Sequence, residues 1–157
     1  AMGDDCATLL ERNGLTQDDV DYVVCHQANL RIIEAVAKRI GVPMEKVTMS
    51  SDGQGSWSNY DAEGKLVEIG VSDVDTIYRQ IVYMVKEENM DLEELLALGT
   101  KNPAMALELY PKKGAVKEES DADILIMNED LSLDTVIAMG VPMMRDGKIL
   151  KKGTYEK

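Results

Sequence analysis

Phenylalanine is absent from this chain and tryptophan occurs once, so aromatic side chains make up only 4% of its 157 residues. A core must therefore be built from aliphatic side chains and the 10 methionines, whose unbranched thioethers fill irregular gaps but specify a packing only loosely. Basic residues are also scarce, 17 against 29 acidic, and the net charge of −12 is not offset by any dense basic stripe. That balance excludes a phosphate-backbone partner, and with it nucleic acid. No run of about 18 apolar residues occurs, so no membrane span is expected. The opening Ala1-Met2-Gly3-Asp4-Asp5 lacks the basic and apolar regions of a signal peptide, which predicts a soluble, cytoplasmic protein. Cysteine occurs twice, at Cys6 and Cys25, with no chelating spacing; free thiols in a reducing compartment follow.

The length suits one domain, or a compact unit with a small appendage, and is enough to bury a core. The pattern predicts an α/β fold. Residues 4–12 read as a helix stopped by Asn13-Gly14, and residues 16–19 as a polar turn. Val20, Tyr22, Val23 and Val24 form a β-rich run that ends at His26. A helix over residues 29–40 follows, with Ile33, Val36, Ala37 and Ile40 on one face, and Gly41 and Pro43 end it. Residues 46–49 make a second short strand, so residues 20–50 form a strand–helix–strand unit, a right-handed parallel crossover by the handedness rule.

Beyond it, residues 53–58 read as a Gly/Ser-rich turn and residues 61–64 as a polar excursion. A helix over residues 73–88 carries the stripe Val74, Ile77, Tyr78, Ile81, Val82 and Val85. Asp91 caps a further helix with Glu94 as its capping-box partner, and Asn102-Pro103 opens another through Leu109, with proline at the first helical position. After Gly114 the chain turns to short strands at residues 124–127, 135–138 and 143–145, the last paired with 148–150 across an Asp146-Gly147 hairpin turn.

Two stretches carry chemistry. Cys25-His26-Gln27-Ala28-Asn29-Leu30-Arg31-Ile32, preceded by Gly14-Leu15-Thr16-Gln17-Asp18-Asp19-Val20-Asp21, resembles the C-terminal part of the β-ketoacyl-acyl-carrier-protein synthase III family, thiolase-fold acyltransferases that start fatty-acid synthesis. The resemblance spans residues 4–47. It implies that His26 corresponds to the histidine that assists decarboxylation of the malonyl thioester by donating a hydrogen bond to the developing enolate oxygen. Arg31 corresponds to a helix residue that helps dock the acidic acyl carrier protein. The family also uses a nucleophilic cysteine and an asparagine that completes the enolate pocket, and neither segment is matched here. Cys25 is no simple substitute, because neighbouring strand residues point to opposite faces. His26 is thus expected to be vestigial, structural or solvent-exposed at a strand end, with residual chemistry as the alternative. Arg31, Lys38 and Arg39 on one helix read either as a carrier-protein contact or as an ordinary solvated face.

The second stretch, Ser50-Ser51-Asp52-Gly53-Gln54-Gly55-Ser56, continues into Trp57-Ser58-Asn59-Tyr60-Asp61-Ala62-Glu63-Gly64-Lys65-Leu66 and later Thr100-Lys101-Asn102-Pro103-Ala104 and Asp121-Ala122-Asp123-Ile124. This order resembles the last third of isoaspartyl dipeptidase, a metal-dependent barrel hydrolase of the amidohydrolase superfamily, over residues 47–157. It implies that Asp52 matches the aspartate that ends the eighth barrel strand, ligates metal and takes the proton of the attacking water. It implies that Ser56 matches a serine that binds substrate carboxylate, with Gly53 and Gly55 permitting the tight backbone between them. Asp52 reads equally as an Asx-turn residue satisfying local donors. A binuclear zinc centre of that family draws on several histidines and a lysine-derived carboxylate. This chain has one histidine, and that one belongs to the other resemblance.

The chain is therefore expected to be a chimera: a synthase-like segment over residues 1–47, a barrel-end segment over 48–113 and a small β-sandwich-like segment over 114–157. A closed eight-stranded barrel alone takes about 250 residues. No intact catalytic function and no cofactor are expected, and the inherited activity is either β-aspartyl dipeptide hydrolysis or acyl transfer. Uncovered strand edges after Gly114 predict a homo-oligomer, with acyl carrier protein as a second candidate partner.

Overall fold

The computed structural model describes residues 2–25 and 30–153, and its architecture is the mixed α/β arrangement expected. Helix α1 (Met2–Arg12) stops where Gly14 takes φ 65° and the Asn13 side chain donates to the Leu9 carbonyl at 2.8 Å, a left-handed stop. A 3₁₀ turn, Gln17–Asp19, follows with a capping box: Thr16 accepts from the Asp18 amide while the Asp19 carboxylate takes the Thr16 amide at 2.7 Å. Strand β1 (Val23–Val24) pairs in parallel with β2 (Val47–Thr48), in register Val23 to Val47 and Val24 to Thr48, across helix α2 (Leu30–Ile40). Lys46, in the 3₁₀ turn Met44–Lys46, ties the unit together by donating to the Val20 carbonyl at 2.6 Å.

Helices α3 (Thr76–Glu88), α4 (Leu92–Gly99) and α5 (Lys101–Ala106) complete the layer on this pair. Ile33 and Ala37 of α2, Val47 and Met49 beside them, Ile81 and Met84 of α3, and Leu95 and Leu98 of α4 form one core cluster. Each such aliphatic side chain, taken from water to the interior, contributes about 1.5–3 kcal/mol. Methionine supplies two of the eight members, as the shortage of aromatics requires.

Several elements differ from the sequence expectation. Residues 53–58 read as a turn and 61–64 as a polar excursion, yet β3 (Ser56–Tyr60) and β4 (Leu66–Val71) form an antiparallel hairpin. β3 has almost no apolar alternation to mark it as a strand, and pairing with the β-prone Leu66–Val71 segment creates it. The Asp61 carboxylate accepts from the amides of Glu63 and Lys65, closing the turn at Gly64 with φ 79°. Helix α3 begins at Thr76 rather than residue 73: Asp73 and Asp75 instead bind Arg79 at 2.7 and 2.5 Å, and Val74 is left 66% exposed. Pro103 is the third residue of α5, still within the turn whose amides need no intrahelical acceptor. The strands flanking α2 are two residues each, shorter than read, and at β2 the 3₁₀ turn Met44–Lys46 takes up Lys46.

The tail is a four-stranded antiparallel sheet in the order β5 (Ile124–Met127), β6 (Leu133–Ala138), β7 (Val141–Arg145), β8 (Lys148–Ile149). Asp146 and Gly147 both take positive φ, 50° and 68°, which is the type I′ hairpin expected there. Lys113 clamps the approach to this sheet by binding Asp121 at 3.0 Å and Asp123 at 2.5 Å, and Asp123 also takes the Met139 amide at 2.6 Å. These contacts hold the Asp123 carboxyl below its ordinary range, the lysine first and the amide second, and hold Lys113 above its own.

One buried polar side chain joins the layers. Asn102, 4% exposed, donates both amide hydrogens, to the Met44 carbonyl at 2.9 Å and the Val47 carbonyl at 2.8 Å. Asn102→Ala removes the side-chain donor of the buried Val47 carbonyl and one of the two donors of the Met44 carbonyl, which also accepts from the Val47 amide, and should cost about 1–3 kcal/mol in a urea melt. Asn59→Ala, at an exposed hairpin position, should stay within about 0.5 kcal/mol of the parent chain.

Candidate functional site

The chain leaves β2 and enters a tight loop at Ser50. Ser50 donates to the Cys25 carbonyl at 3.2 Å, which fixes the loop's start against the end of β1. Asp52 and Gln54 both adopt left-handed backbone, φ 48° and 70°. Aspartate tolerates that region better than most residues, whereas glutamine pays for it. The Gly55 amide donates to the Asp52 carbonyl at 2.8 Å and closes the turn, and the Gly53 amide goes to the Ser51 hydroxyl at 3.0 Å. The Gly53 amide is thus served by the serine that precedes Asp52. The loop is seated on the end of β4 by two further bonds, Gln54 amide to Ser72 carbonyl at 2.9 Å and Ser72 amide to Gly55 carbonyl at 2.8 Å.

Asp52 is half-buried and its carboxylate lies over Gly55, where a Cβ would stand 2.6 Å from both carboxylate oxygens. Any side chain at position 55 would therefore have to displace the Asp52 carboxylate. Ser56, the other residue assigned to substrate, opens β3 opposite Val71 and is exposed. Asp52 and Ser56 lie at the two ends of one short loop. Among the described residues no group of three or more His, Cys, Asp or Glu side chains could hold a metal ion. The donors around Asp52 do not fit the binuclear zinc centre of the dipeptidases, whose chemistry needs several ligands at once.

The first stretch is dispersed. His26, together with residues 27–29, lies outside the described residues. Arg31 is 65% exposed in the first turn of α2 and forms an ion pair with Glu88 at the end of α3, which raises the guanidinium and lowers the Glu88 carboxyl relative to their ordinary values. Arg39 pairs with Asp4 at 2.7 Å, while Lys38 is exposed. Two of the three cations on this helix thus already meet carboxylates of the same chain. Cys25 is half-buried, and burial first, then the neighbouring Cys6, pushes its thiol up. A thiol so placed holds little thiolate, the form that attacks an acyl donor.

Residues 10–62 match the family model of the 3-oxoacyl-[acyl-carrier-protein] synthase III C terminal. Among curated proteins, β-ketoacyl-[acyl-carrier-protein] synthase III of Porphyromonas gingivalis is 52% identical over 58 residues, 37% of this chain and 17% of the relative. That of Phocaeicola vulgatus is 53% identical over 57 residues, again 17% of the relative. The chain thus spans less than a fifth of these proteins. Among solved structures, β-aspartyl dipeptidase of Fervidobacterium islandicum AW-1, in complex with β-Asp-Leu dipeptide, superposes with a TM-score of 0.69 at 28% identity, covering 95% of this chain and 40% of that one.

The chain is a two-part chimera.

N-acetylglucosamine-6-phosphate deacetylase of Pasteurella multocida, at 18% identity and a TM-score of 0.59, shares the fold over 82% of the chain. Because the dipeptidase superposition takes in nearly the whole chimera, most of the synthase-like sequence occupies a place in an amidohydrolase-type fold. The sequence match also runs on past Val47 and across the Asp52 loop to residue 62. Asn102 and Lys113 carry structural roles that neither catalytic assignment predicted. The first was signalled by the Thr100–Ala104 motif, the second by the acidic pair Asp121 and Asp123.

The loop geometry makes a specific prediction. Gly55→Ala should cost about 1–3 kcal/mol through overpacking against the Asp52 carboxylate. In an Asp52→Gly background, which removes that carboxylate, the same change should cost well under half as much. A denaturant-melt double-mutant cycle measures the coupling.

Proposed function

We propose that this chain supplies neither parental active site and that it is a folded chimera without the catalysis of either. A synthase strand–helix–strand segment stands in for the barrel segment that precedes the Asp52 strand, with the junction between residues 41 and 49. The observation that carries the reading is donor supply: one histidine in 157 residues, and a single carboxylate, Asp52, at the place where the dipeptidase resemblance puts metal chemistry. A lone carboxylate neither holds a second metal nor lowers the pKa of a bound water. His26 and Ser56 are vestiges of two different substrates, and Arg31 is a vestige of carrier-protein docking that now pairs with Glu88.

Free edges at β5 and β8 and exposed Leu125, Ile126, Ile149 and Leu150 support self-association through residues 114–157, a dimer being the simplest closed form. The dipeptidase-like fold makes β-aspartyl dipeptide hydrolysis the activity to test first. With zinc added, turnover of β-Asp-Leu should not exceed that of zinc in buffer. Turnover above that background which Asp52→Ala abolishes would overturn the proposal.

A further inference from the structure

We propose that the acidic groove beside α4 receives the basic edge segment, residues 148–152, of a second copy of this chain. The proposal rests on the homo-oligomer reading above and names its interface. The groove, about 790 Å³, has a floor of half-buried Met44, Met90 and Leu96, all packed against the core cluster, and a rim that includes exposed Glu45, Glu93 and Glu94. Among the described residues five carboxylates line it against one ammonium, Lys101. A polar ligand would waste the methionine floor, and an uncharged apolar segment would leave the carboxylates facing one another. The groove therefore fits a segment with cations on its flanks and aliphatic side chains between them.

This chain carries such a segment. Lys148-Ile149-Leu150-Lys151-Lys152 holds three of the 17 basic residues in five positions, the densest positive charge in the sequence. Ile149 and Leu150 are 58% and 54% exposed, and among the described residues β8 is the edge of its sheet, next to β7. Its own copy's groove lies on the helical layer, not against this sheet, so the fit is with another molecule. Charge selects the contact further. Two chains of net charge −12 repel at most approaches, and the favourable encounter is the one that brings this basic segment to an acidic surface. About a two-fold axis each copy gives one segment and receives one, which closes the dimer with two equivalent contacts.

Charge reversal tests it. Light scattering across a dilution series gives the mass of the wild-type chain, of Lys148→Glu/Lys151→Glu/Lys152→Glu, and of Glu45→Lys/Glu93→Lys/Glu94→Lys, with thermal melts checking that each is folded. The wild type should be a dimer that weakens with salt, and each variant should dissociate at least about tenfold more readily, down to the 17.3 kDa monomer. An equimolar mixture of the two variants should dimerise again, since both of its contacts then join opposite charges. A wild-type dimer that neither variant weakens overturns this interface alone and leaves the oligomer reading standing. A wild-type monomer at all concentrations overturns both. Binding of a synthetic peptide of residues 148–152 to a monomeric wild type would assign the groove to a foreign basic segment and sink the second-copy assignment.

Discussion

Two hydrogen bonds from one side chain hold the fold's two ancestries together. Met44 and Val47 lie within the synthase-like match, residues 10–62, while Asn102 lies outside it, and the asparagine amide spans the boundary to both carbonyls. The strand pair it braces is only two residues long and would not persist alone. The Met49 amide, donating to the Leu98 carbonyl at 3.0 Å, fastens the same strand to α4. Around these bonds the core closes with Ile33 and Ala37 from one side of the boundary and Ile81, Met84, Leu95 and Leu98 from the other. No apolar contact could replace Asn102 at the buried Val47 carbonyl, whereas the part-buried Met44 carbonyl also accepts from the Val47 amide.

By contrast, the charged pairs on the surface add little to this closure. Arg39 with Asp4 and Arg79 with Asp73 and Asp75 are exposed, Arg31 meets a partly buried Glu88, and water screens pairs of that kind. Two of them, Arg31 with Glu88 and Arg39 with Asp4, engage cations of α2. Acid therefore dominates the remaining surface, and the lysines after Asp146 stand out against it. In the Asp52 loop, Gly55 and the left-handed residues Asp52 and Gln54 make a narrow bend, the Asp52 carboxylate packs over Gly55, and among the described residues no group of three or more His, Cys, Asp or Glu could hold a metal ion.

What could be read from sequence follows from where local signals agreed with the fold. The stop at Asn13-Gly14, the cap at Asp91, whose carboxylate takes the Glu94 amide at 3.0 Å, and the Asp146-Gly147 turn each depend on a few adjacent residues, so local pattern sufficed. The buried face Ile33, Val36 and Ala37 also followed from helical spacing. The β3–β4 hairpin was hidden because Ser56–Tyr60 becomes a strand only by pairing with Leu66–Val71, and both faces of that pair are mostly exposed, which leaves no alternation to read. Met84 joined the core although the expected stripe passed beside it, since α4 packs on that side of α3. At the candidate site, the Asp52 loop was marked by its Ser-Ser-Asp-Gly-Gln-Gly-Ser motif, but the Arg31–Glu88 pair is 57 residues apart in sequence and depends on how α2 meets α3.

Whether the two ancestries share one cooperative core is decided most directly by native-state amide hydrogen exchange, read by segment. The account predicts that α2 and β2 open together with α3 and α4, at a common free energy equal to that of global unfolding. Asn102→Ala should lower all four by the same amount. If residues 30–49 exchanged at a distinctly lower free energy than residues 81–98, and Asn102→Ala changed only one of the two values, the segments would be separate units and the account of a single core across the boundary would be wrong.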